Sequence, residues 1–281
     1  MNRPAGTTPA AARGGAVARP VVRRLCEVPD GPAGDAVEDF IAEEVPIALL
    51  FGGESYAVML ASPLDLEDFA LGFAISEGLV ARAQDVARIE VKETLAGVEL
   101  HVALRGPLRR AQASARALPG YAGCGLCGVR QLEDAVRWPT PVRMDGRTTL
   151  GAIQRAVLAL PGAQSLYRQT GATHAAAWFS LDGELLLLRE DIGRHNALDK
   201  LIGGMAKAGL DPADGMLVMT SRASCELLQK AGTAGIGIMA AISAPTALAV
   251  AIADSANLTL LGFVRGRRQV TYTHPWRVSE A

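Results

Sequence analysis

The second half of the chain alternates short apolar runs with amphipathic stretches, separated by short links. The apolar runs predict strands at residues 216–220, 237–242 and 258–264, and the amphipathic stretches predict helices at 223–231 and 247–256. Alternation of this kind favours parallel strands joined by crossover helices. The pattern therefore predicts an α/β layered domain over residues 149–281.

Turn residues predict two hairpins. The first joins two strands within residues 47–59 at Gly52 and Gly53, and the second turns at Asp182 and Gly183. The strands of the second hairpin are expected at 175–180 and 184–189. The remaining predicted elements are a helix that starts at 62–65, helices at 149–160 and 196–208, and strands at 88–92, 98–104 and 269–273.

The chain divides into four predicted parts. Residues 1–20 are rich in Ala, Gly, Pro and Arg and are expected to be a disordered tail. Residues 21–104 are expected to form a smaller, β-rich N-terminal part with one helix. A polar connector, residues 105–148, carries a cysteine loop, and the α/β domain 149–281 follows it.

Composition and charge narrow the class of protein. The 281 residues are 49% hydrophobic, and 28 basic side chains nearly balance 29 acidic ones, which argues against nucleic-acid or membrane-surface binding by the molecule as a whole. The most apolar stretch, 236–252, is interrupted by Gly237, Ser243 and Pro245, so no membrane span is expected. Because the first twenty residues lack the apolar core of a secretion signal, a cytoplasmic protein is expected.

The segment 123–128 (GCGLCG) places two thiols, Cys124 and Cys127, three positions apart among glycines. Glycine permits a tight turn that leaves the sulfur atoms uncovered. Neighbouring backbone N–H groups favour the thiolate, which is the nucleophilic form. The other two cysteines, Cys26 and Cys225, are predicted to be buried and unreactive, with Cys225 inside a helix.

The cysteine pair alone leaves four interpretations open. A structural zinc site normally needs four ligands, and no second close pair of Cys or His is present, so no metal is expected unless two subunits share it. A dithiol redox site and a persulfide carrier use the same chemical attributes. Two unreactive thiols in a glycine-rich turn are the fourth interpretation. The motif indicates reactive sulfur without identifying the reaction.

Three segments, 220–224, 242–246 and 263–268, follow predicted strands or end them. They are expected to meet, because ligands of α/β sheets gather at the carboxyl ends of strands. The candidate binding residues in them are Ser221, Arg222, Ser243, Phe263, Val264, Arg265, Gly266, Arg267 and Arg268. Guanidinium groups and helix N-termini suit phosphate. The alternatives are a solvated hairpin tip for the arginines and a helix cap for Ser221 or Ser224.

The polar run 191–195 also has two interpretations. Asp191, Arg194 and His195 are candidates for holding a ligand or ordering the cysteine loop. Alternatively, Asp191 caps the helix that follows, and the other two side chains are exposed. The cap is the favoured prediction for Asp191.

Taken together, five segments resemble the formate dehydrogenase accessory sulfurtransferase family, FdhD. They are 123–128 (GCGLCG), 191–197 (DIGRHNA), 221–226 (SRASCE), 242–246 (ISAPT) and 261–266 (LGFVRG). The resemblance runs from about residue 21 to residue 276, with the segments in the expected order.

The resemblance implies a function that the spacing of the cysteines does not identify. Members accept persulfide sulfur from a cysteine desulfurase and pass it to molybdenum cofactor, in its bis(molybdopterin guanine dinucleotide) form, for formate dehydrogenase. Carried over by position, Cys124 would bear the persulfide, Cys127 would assist it, and residues 263–268 would contact the cofactor as bound substrate. The family also implies a cytidine deaminase-like larger part and a homodimer.

Deaminase chemistry itself is not supported, because His174 is followed by Ala175 and Ala176 rather than by a catalytic Glu at the second position. Two alternatives to sulfur transfer are kept. One is a dithiol oxidoreductase or redox switch that uses the same cysteine pair. The other is a chaperone that binds the cofactor without transferring sulfur.

Overall fold

The structure, a computed structural model, describes residues 14–23, 35–109, 136–266 and 268–280. In this part of the chain four sheets and six α-helices are present, and the α/β class is confirmed. The more specific expectation of deaminase-like layering stays a prediction, as do the bounds of the four parts.

The larger sheet has six strands in the order β13-β12-β11-β10-β8-β9. The strands are β8 (His174–Ser180), β9 (Leu185–Asp191), β10 (Gly215–Met219), β11 (Ile238–Ala241), β12 (Thr259–Arg265) and β13 (Arg268–Thr271). β10, β11 and β12 are parallel, as the alternation predicted, whereas β8, β9 and β13 are paired antiparallel. Three parallel strands therefore end at one edge of the sheet.

Helices cover both faces of this sheet. They are α2 (Leu150–Ala163), α3 (Ser165–Thr170), α4 (Arg194–Ala208), α5 (Cys225–Thr233) and α6 (Ala247–Ser255). Residues of α4, α5 and α6 share one hydrophobic core with Trp178 and Leu217, and residues of α2 share another with Phe179 and Val218. The sheet is the middle layer of the molecule.

The smaller sheet has four strands in the order β4-β3-β6-β5. The strands are β3 (Val45–Phe51), β4 (Glu54–Ala61), β5 (Val86–Glu93) and β6 (Val98–Leu104), and helix α1 (Leu66–Ser76) packs on the sheet through Phe69 and Phe73. The predicted hairpin at Gly52 and Gly53 and the helix that follows it are confirmed.

Helices α1 and α4 join the two sheets at very short range. A Cβ atom on Gly72 of α1 would lie 1.7 Å from the backbone oxygen of Asp199, and one on Gly203 of α4 would lie 1.9 Å from the oxygen of Asp68. Only glycine permits so close an approach of two backbones. The helix pair fixes the smaller sheet against the larger one.

Three features differ from the sequence-based expectation. Strand β1 (Ala16–Arg23) begins inside residues 1–20, which were expected to be a disordered tail, and it pairs with β2 (Asp35–Ala42). Helix α3 was not predicted; its six residues are too few to show a helical repeat. The two-residue strands β7 (Thr148–Thr149) and β14 (Val278–Ser279) pair over a long separation that no local pattern reveals.

No helix of the described residues is long and apolar enough to span a membrane.

Candidate functional site

The carboxyl ends of β10, β11 and β12 bring the three predicted segments together. The backbone N–H of Ala223 donates to Ala244 O at 3.2 Å, and that of Thr246 donates to Ala223 O at 3.1 Å. Phe263 N donates to Ser243 O at 3.1 Å, which joins the third segment to the second. The prediction that these segments meet is confirmed.

The predicted polar residues differ in exposure. Arg222 and Ser243 are exposed, whereas Ser221 is buried and its hydroxyl donates to Arg222 O at 3.0 Å. Ser224 is the N-cap residue of α5, but its side chain makes no capping hydrogen bond. Its hydroxyl lies 3.5 Å from His195 Nε2 instead. The helix-cap alternative is therefore right about the position of Ser224, but neither serine caps α5 with its side chain.

The arginine cluster lies at the tip of the β12–β13 hairpin. Arg265 pairs with Arg268 across the turn, and both are exposed. Their guanidinium carbons lie 6.0 and 5.4 Å from the ring centroid of Phe263, within cation–π range. Gly266 forms the turn with a φ of 59°. Arg267 lies outside the described residues.

An irregularity in strand β12 places the ring of Phe263 near these arginines. Its φ of 53° is in the left-handed region, and the register of β12 and β13 shifts between Gly262 and Arg265. A non-glycine residue in this region is strained, and such strain is found at functional sites. The side chain of Val264, in contrast, is buried in the core with α2, so only its backbone is available to a ligand.

Small-molecule sites typically have volumes of about 300–1,000 Å³. A cavity of ≈ 620 Å³ opens beside the ends of the parallel strands. Thr220 and Ile242, the residues directly after β10 and β11, line it together with Arg265, the last residue of β12. The opposite wall is formed by the end of α2, by α3 and by the start of β8. Thr220 and Ile242 belong to two of the predicted segments, whereas the wall residues from α2, α3 and β8 were not predicted.

Asp191 does not cap helix α4, whose N-cap residue is Gly193, so that prediction is wrong. Its carboxylate is fully buried and 2.7 Å from Lys200 Nζ, which is also fully buried. Ser62 N donates to Oδ2 at 3.0 Å, and Asn196 Nδ2 donates to Oδ1 at 3.0 Å. Because Lys200 also donates to Ser62 O at 2.9 Å, the pair clamps the end of β4 to α4.

His195 is buried, so the expectation of an exposed side chain is wrong for it. Its Nε2 lies 2.7 Å from Glu226 Oε2, and both side chains are about nine-tenths buried. The pair joins the first turns of α4 and α5 beside the strand ends. Arg194 is half-buried.

His174, the first residue of β8, is half-buried at the cavity wall. Burial lowers the pKa of its imidazole, and the positive charges of Arg194 and His195 lower it further, against a smaller raising effect of Asp191. The ring is therefore neutral at neutral pH.

A second buried charge cluster, which the sequence reasoning missed, lies behind the site. Lys230 Nζ is 2.9 Å from Asp199 Oδ2 and 3.0 Å from Glu77 Oε1, and all three residues are buried. The available signal was the position of Lys230 in α5, close to the apolar residues Leu227, Leu228 and Ala231. Charged residues are rarely fully buried unless they are paired.

The predicted catalytic cysteines, Cys124 and Cys127, lie outside the described residues, as does Cys26. The structure does place both flanks of their segment. Arg109 N donates to Leu79 O at 3.0 Å, and Arg137 lies 3.0 Å from Glu77 Oε2. The chain therefore leaves and re-enters the described structure at the same turn after α1.

Cys225 is the first residue of α5 and half-buried, not a buried residue of the helix interior as predicted. Burial raises the pKa of its thiol, and Glu226 raises it further. A raised pKa leaves less thiolate, which agrees with the expected low reactivity. Among the described residues, no group of three or more His, Cys, Asp or Glu could hold a metal ion.

Known proteins match most of this chain in sequence. Residues 42–279 match the model of the FdhD/NarQ family. A relative named sulfur carrier protein FdhD, from Cupriavidus necator, is 51% identical over 242 residues, covering 85% of this chain and 84% of the relative. A relative of the same name from Bordetella petrii is 46% identical over 256 residues, covering 90% of this chain and 92% of the relative.

A solved structure shares the fold. The crystal structure from Desulfotalea psychrophila, described as that of a formate dehydrogenase accessory protein, aligns with a TM-score of 0.71. The alignment covers 94% of this chain and 99% of that chain at 20% sequence identity.

Proposed function

Because the chain belongs to the FdhD/NarQ family, we propose that it is a sulfur carrier that serves formate dehydrogenase. The identity of 51% over 85% of the chain to a named sulfur carrier protein is the observation that supports this proposal most strongly. The proposal extends to a cytoplasmic homodimer with a deaminase-like larger part.

The proposed carrier residue is Cys124. Its thiolate attacks the outer sulfur of a persulfide on a cysteine desulfurase, a new S–S bond forms, and the donor's S–S bond breaks. The donor cysteine leaves as a thiolate, so no external oxidant or reductant is consumed. Cys127 assists release of the outer sulfur in the second transfer.

The proposed acceptor is molybdenum cofactor in the bis(molybdopterin guanine dinucleotide) form, bound as a substrate. Arg222 and Ser243 are exposed at the strand ends, and Arg265 and Arg268 are exposed at the neighbouring hairpin. Guanidinium groups hydrogen-bond phosphate in pairs, which fits the pyrophosphates of this substrate. Arg267 is included with them, as are Ser221, Phe263 and the backbone of Val264 and Gly266.

Intact mass tests the first transfer. After incubation with a cysteine desulfurase and cysteine, the wild type should gain sulfur that reductant removes, and Cys124→Ala should gain none. Cys225→Ala is the matched control, and its gain should equal that of the wild type, because the Cys225 thiol is half-buried with a raised pKa.

The same experiment distinguishes the alternatives. A wild type that gains no sulfur but loses two hydrogens on mild oxidation would indicate a dithiol switch instead. If Cys124→Ala still supported formate dehydrogenase maturation, the protein would be a cofactor chaperone rather than a sulfur carrier.

A further inference from the structure

A second cavity, of ≈ 450 Å³, lies beside the smaller sheet. Two loops line it, one between α1 and β5 and the other after β6. Backbone hydrogen bonds join the two loops: Arg105 N donates to Asp85 O at 2.8 Å, and Arg109 N donates to Leu79 O at 3.0 Å. The backbone therefore fixes the shape of this cavity.

The charge of the cavity is positive. Arg82, Arg105 and Arg109 line it, and all three are exposed. Asp85 is the one carboxylate among the described residues that line it, and it already accepts hydrogen bonds from Ala81 N and Arg82 N, both at 3.0 Å. The three arginines form an arginine rim whose charge this single carboxylate balances only in part.

An apolar groove of ≈ 180 Å³ adjoins the arginine rim. Ala81 and Arg82 line both cavities, and Ile75 of α1 and Ile202 and Met205 of α4 line the groove alone. Arg and Met are both enriched in protein–protein interfaces, in which polar rims surround apolar surface. A small anion, in contrast, would make no use of the groove, so the combined surface fits a protein partner.

This surface lies at the flanks of the segment that carries Cys124. Arg109 is a wall of the cavity and also the last described residue before that segment. On the other flank, Arg137 lies 3.0 Å from Glu77 Oε2, two positions before the wall residue Leu79. A protein bound here is held next to the start of the segment, which raises the effective concentration of any persulfide it carries.

We propose that the arginine rim and the adjoining apolar groove form the docking surface for the persulfide donor, a protein that presents an acidic segment there. The inference rests on the proposed function, because the donor is the protein that loads Cys124. Opposite charges on the two surfaces steer the proteins together and raise their association rate. The transfer is unchanged: the Cys124 thiolate attacks the outer sulfur, and the donor cysteine leaves as a thiolate.

The rate at which Cys124 of the full-length protein gains sulfur, measured by intact mass at increasing concentrations of a cysteine desulfurase, tests this inference. In the triple variant Arg82→Gln, Arg105→Gln, Arg109→Gln, the desulfurase concentration that gives half the maximal rate should rise about tenfold, since electrostatic steering raises association rates by about 10–10³. The maximal rate should not change, because the thiol is untouched. Loading of the wild type should slow as salt concentration rises, and loading of the triple variant should depend far less on salt.

A second triple variant is the matched control. Arg19→Gln, Arg23→Gln, Arg168→Gln removes the same charge from exposed arginines of β1 and α3, and its loading should equal that of the wild type. Iodoacetamide is a small neutral probe that needs no docking, and it should alkylate Cys124 at the same rate in all three proteins. Thermal unfolding midpoints check that each variant is folded.

An unchanged half-maximal concentration in the arginine-rim variant would overturn the inference, as would an equal rise in the control variant. A fall in alkylation that matches the fall in loading would place the effect on the thiol and would also overturn it. Normal loading with impaired formate dehydrogenase maturation would mean that the surface binds the client enzyme instead of the donor.

Each of these outcomes leaves loading of the wild type in place, so each contradicts the docking surface without contradicting the proposed function. Absence of loading in the wild type, in contrast, would contradict the proposed function and this inference with it.

Discussion

The buried carboxylate of Asp191 has Lys200 as its cationic partner. Asp191 and Lys200 are both fully buried, and the carboxylate also accepts hydrogen bonds from Ser62, Gly193 and Asn196. Removing one member of a buried pair leaves the other charge without compensation, which costs more than the pair itself contributes. The 191–197 segment is thus a structural clamp between the end of β4 and α4.

Lys200→Met should lower the free energy of unfolding by about 3–5 kcal/mol, because it leaves the Asp191 carboxylate buried without a cation. Urea denaturation measures the change. Lys207→Met is the matched control: Lys207 pairs with Asp68 and Glu67 but is half exposed, so its loss should cost under about 1 kcal/mol. Equal losses in the two variants would contradict the clamp.

His174 should titrate below its ordinary pKa of 6.5, since burial, Arg194 and His195 disfavour its charged form while Asp191 opposes them less strongly. Below pH 6.5 the unfolded chain binds this proton more readily than the folded protein does. Stability from this residue is therefore full above pH 6.5 and declines as pH falls towards the folded pKa.

Histidine ring resonances followed by NMR across this pH range measure the value, with His174→Gln providing the assignment. A titration at or above 6.5 would contradict the lowering of the His174 pKa by burial.

At this scale the sequence predicted which segments meet better than it predicted the contacts of each side chain. The meeting of residues 220–224 with 242–246 follows from strand order, which local patterns reveal. The partners of Asp191 and His195 do not follow from local patterns, because Lys200 and Glu226 approach them only after α4 and α5 pack. Nothing in the order of residues distinguishes a cap from a buried ion pair.

At the scale of elements, the contact between α1 and α4 depends on two glycines. Gly72→Ala places a Cβ atom 1.7 Å from a backbone oxygen, so the helices must separate. A loss of about 3 kcal/mol or more is expected, at the upper end of overpacking costs. Chemical denaturation monitored by circular dichroism measures it.

Gly162→Ala is the control for helix propensity. Gly162 lies in α2 with no atom within 4 Å of a built Cβ, so alanine there should stabilise the protein by roughly 0.5–1 kcal/mol. A similar gain from Gly72→Ala would mean that the two helices do not pack as closely as the structure has them.

Elements with strong periodicity were predictable and those fixed by tertiary contacts were not. Strands β10, β11 and β12 and the helices between them follow from runs of apolar residues. Strand β1 was not predictable in this way, because apolar and polar residues alternate only weakly in Ala16–Arg23. The strand is stabilised by pairing with β2 and by packing on α3. The sequence alone does not distinguish Gly72 from any other glycine in a helix, because its role depends on the close contact with the backbone of α4.

At the scale of the whole molecule, α1 belongs to both halves. Ile75 packs against the core of the smaller sheet and against that of the larger one. Next to it, Lys230 of α5 donates to Ser76 Oγ at 3.0 Å and pairs with Asp199 of α4 and with Glu77. Separating the sheets would expose apolar surface and leave several carboxylates unpaired, so the two sheets should unfold together.

Lys230→Met tests this coupling. Two carboxylates lose their shared cation, so a destabilisation of about 3–5 kcal/mol is expected, and it should appear equally in both sheets. In a Trp138→Phe, Trp276→Phe background, Trp178 is the one remaining tryptophan and reports on the larger sheet. Amide exchange of Ile47 and Leu49 in β3 reports on the smaller sheet. The free energy of opening of those amides is compared with the free energy of unfolding that Trp178 reports. If the amides opened at a clearly lower free energy, the two sheets would unfold separately. The α1–α4 contact would then be an interface between two units rather than part of one cooperative unit.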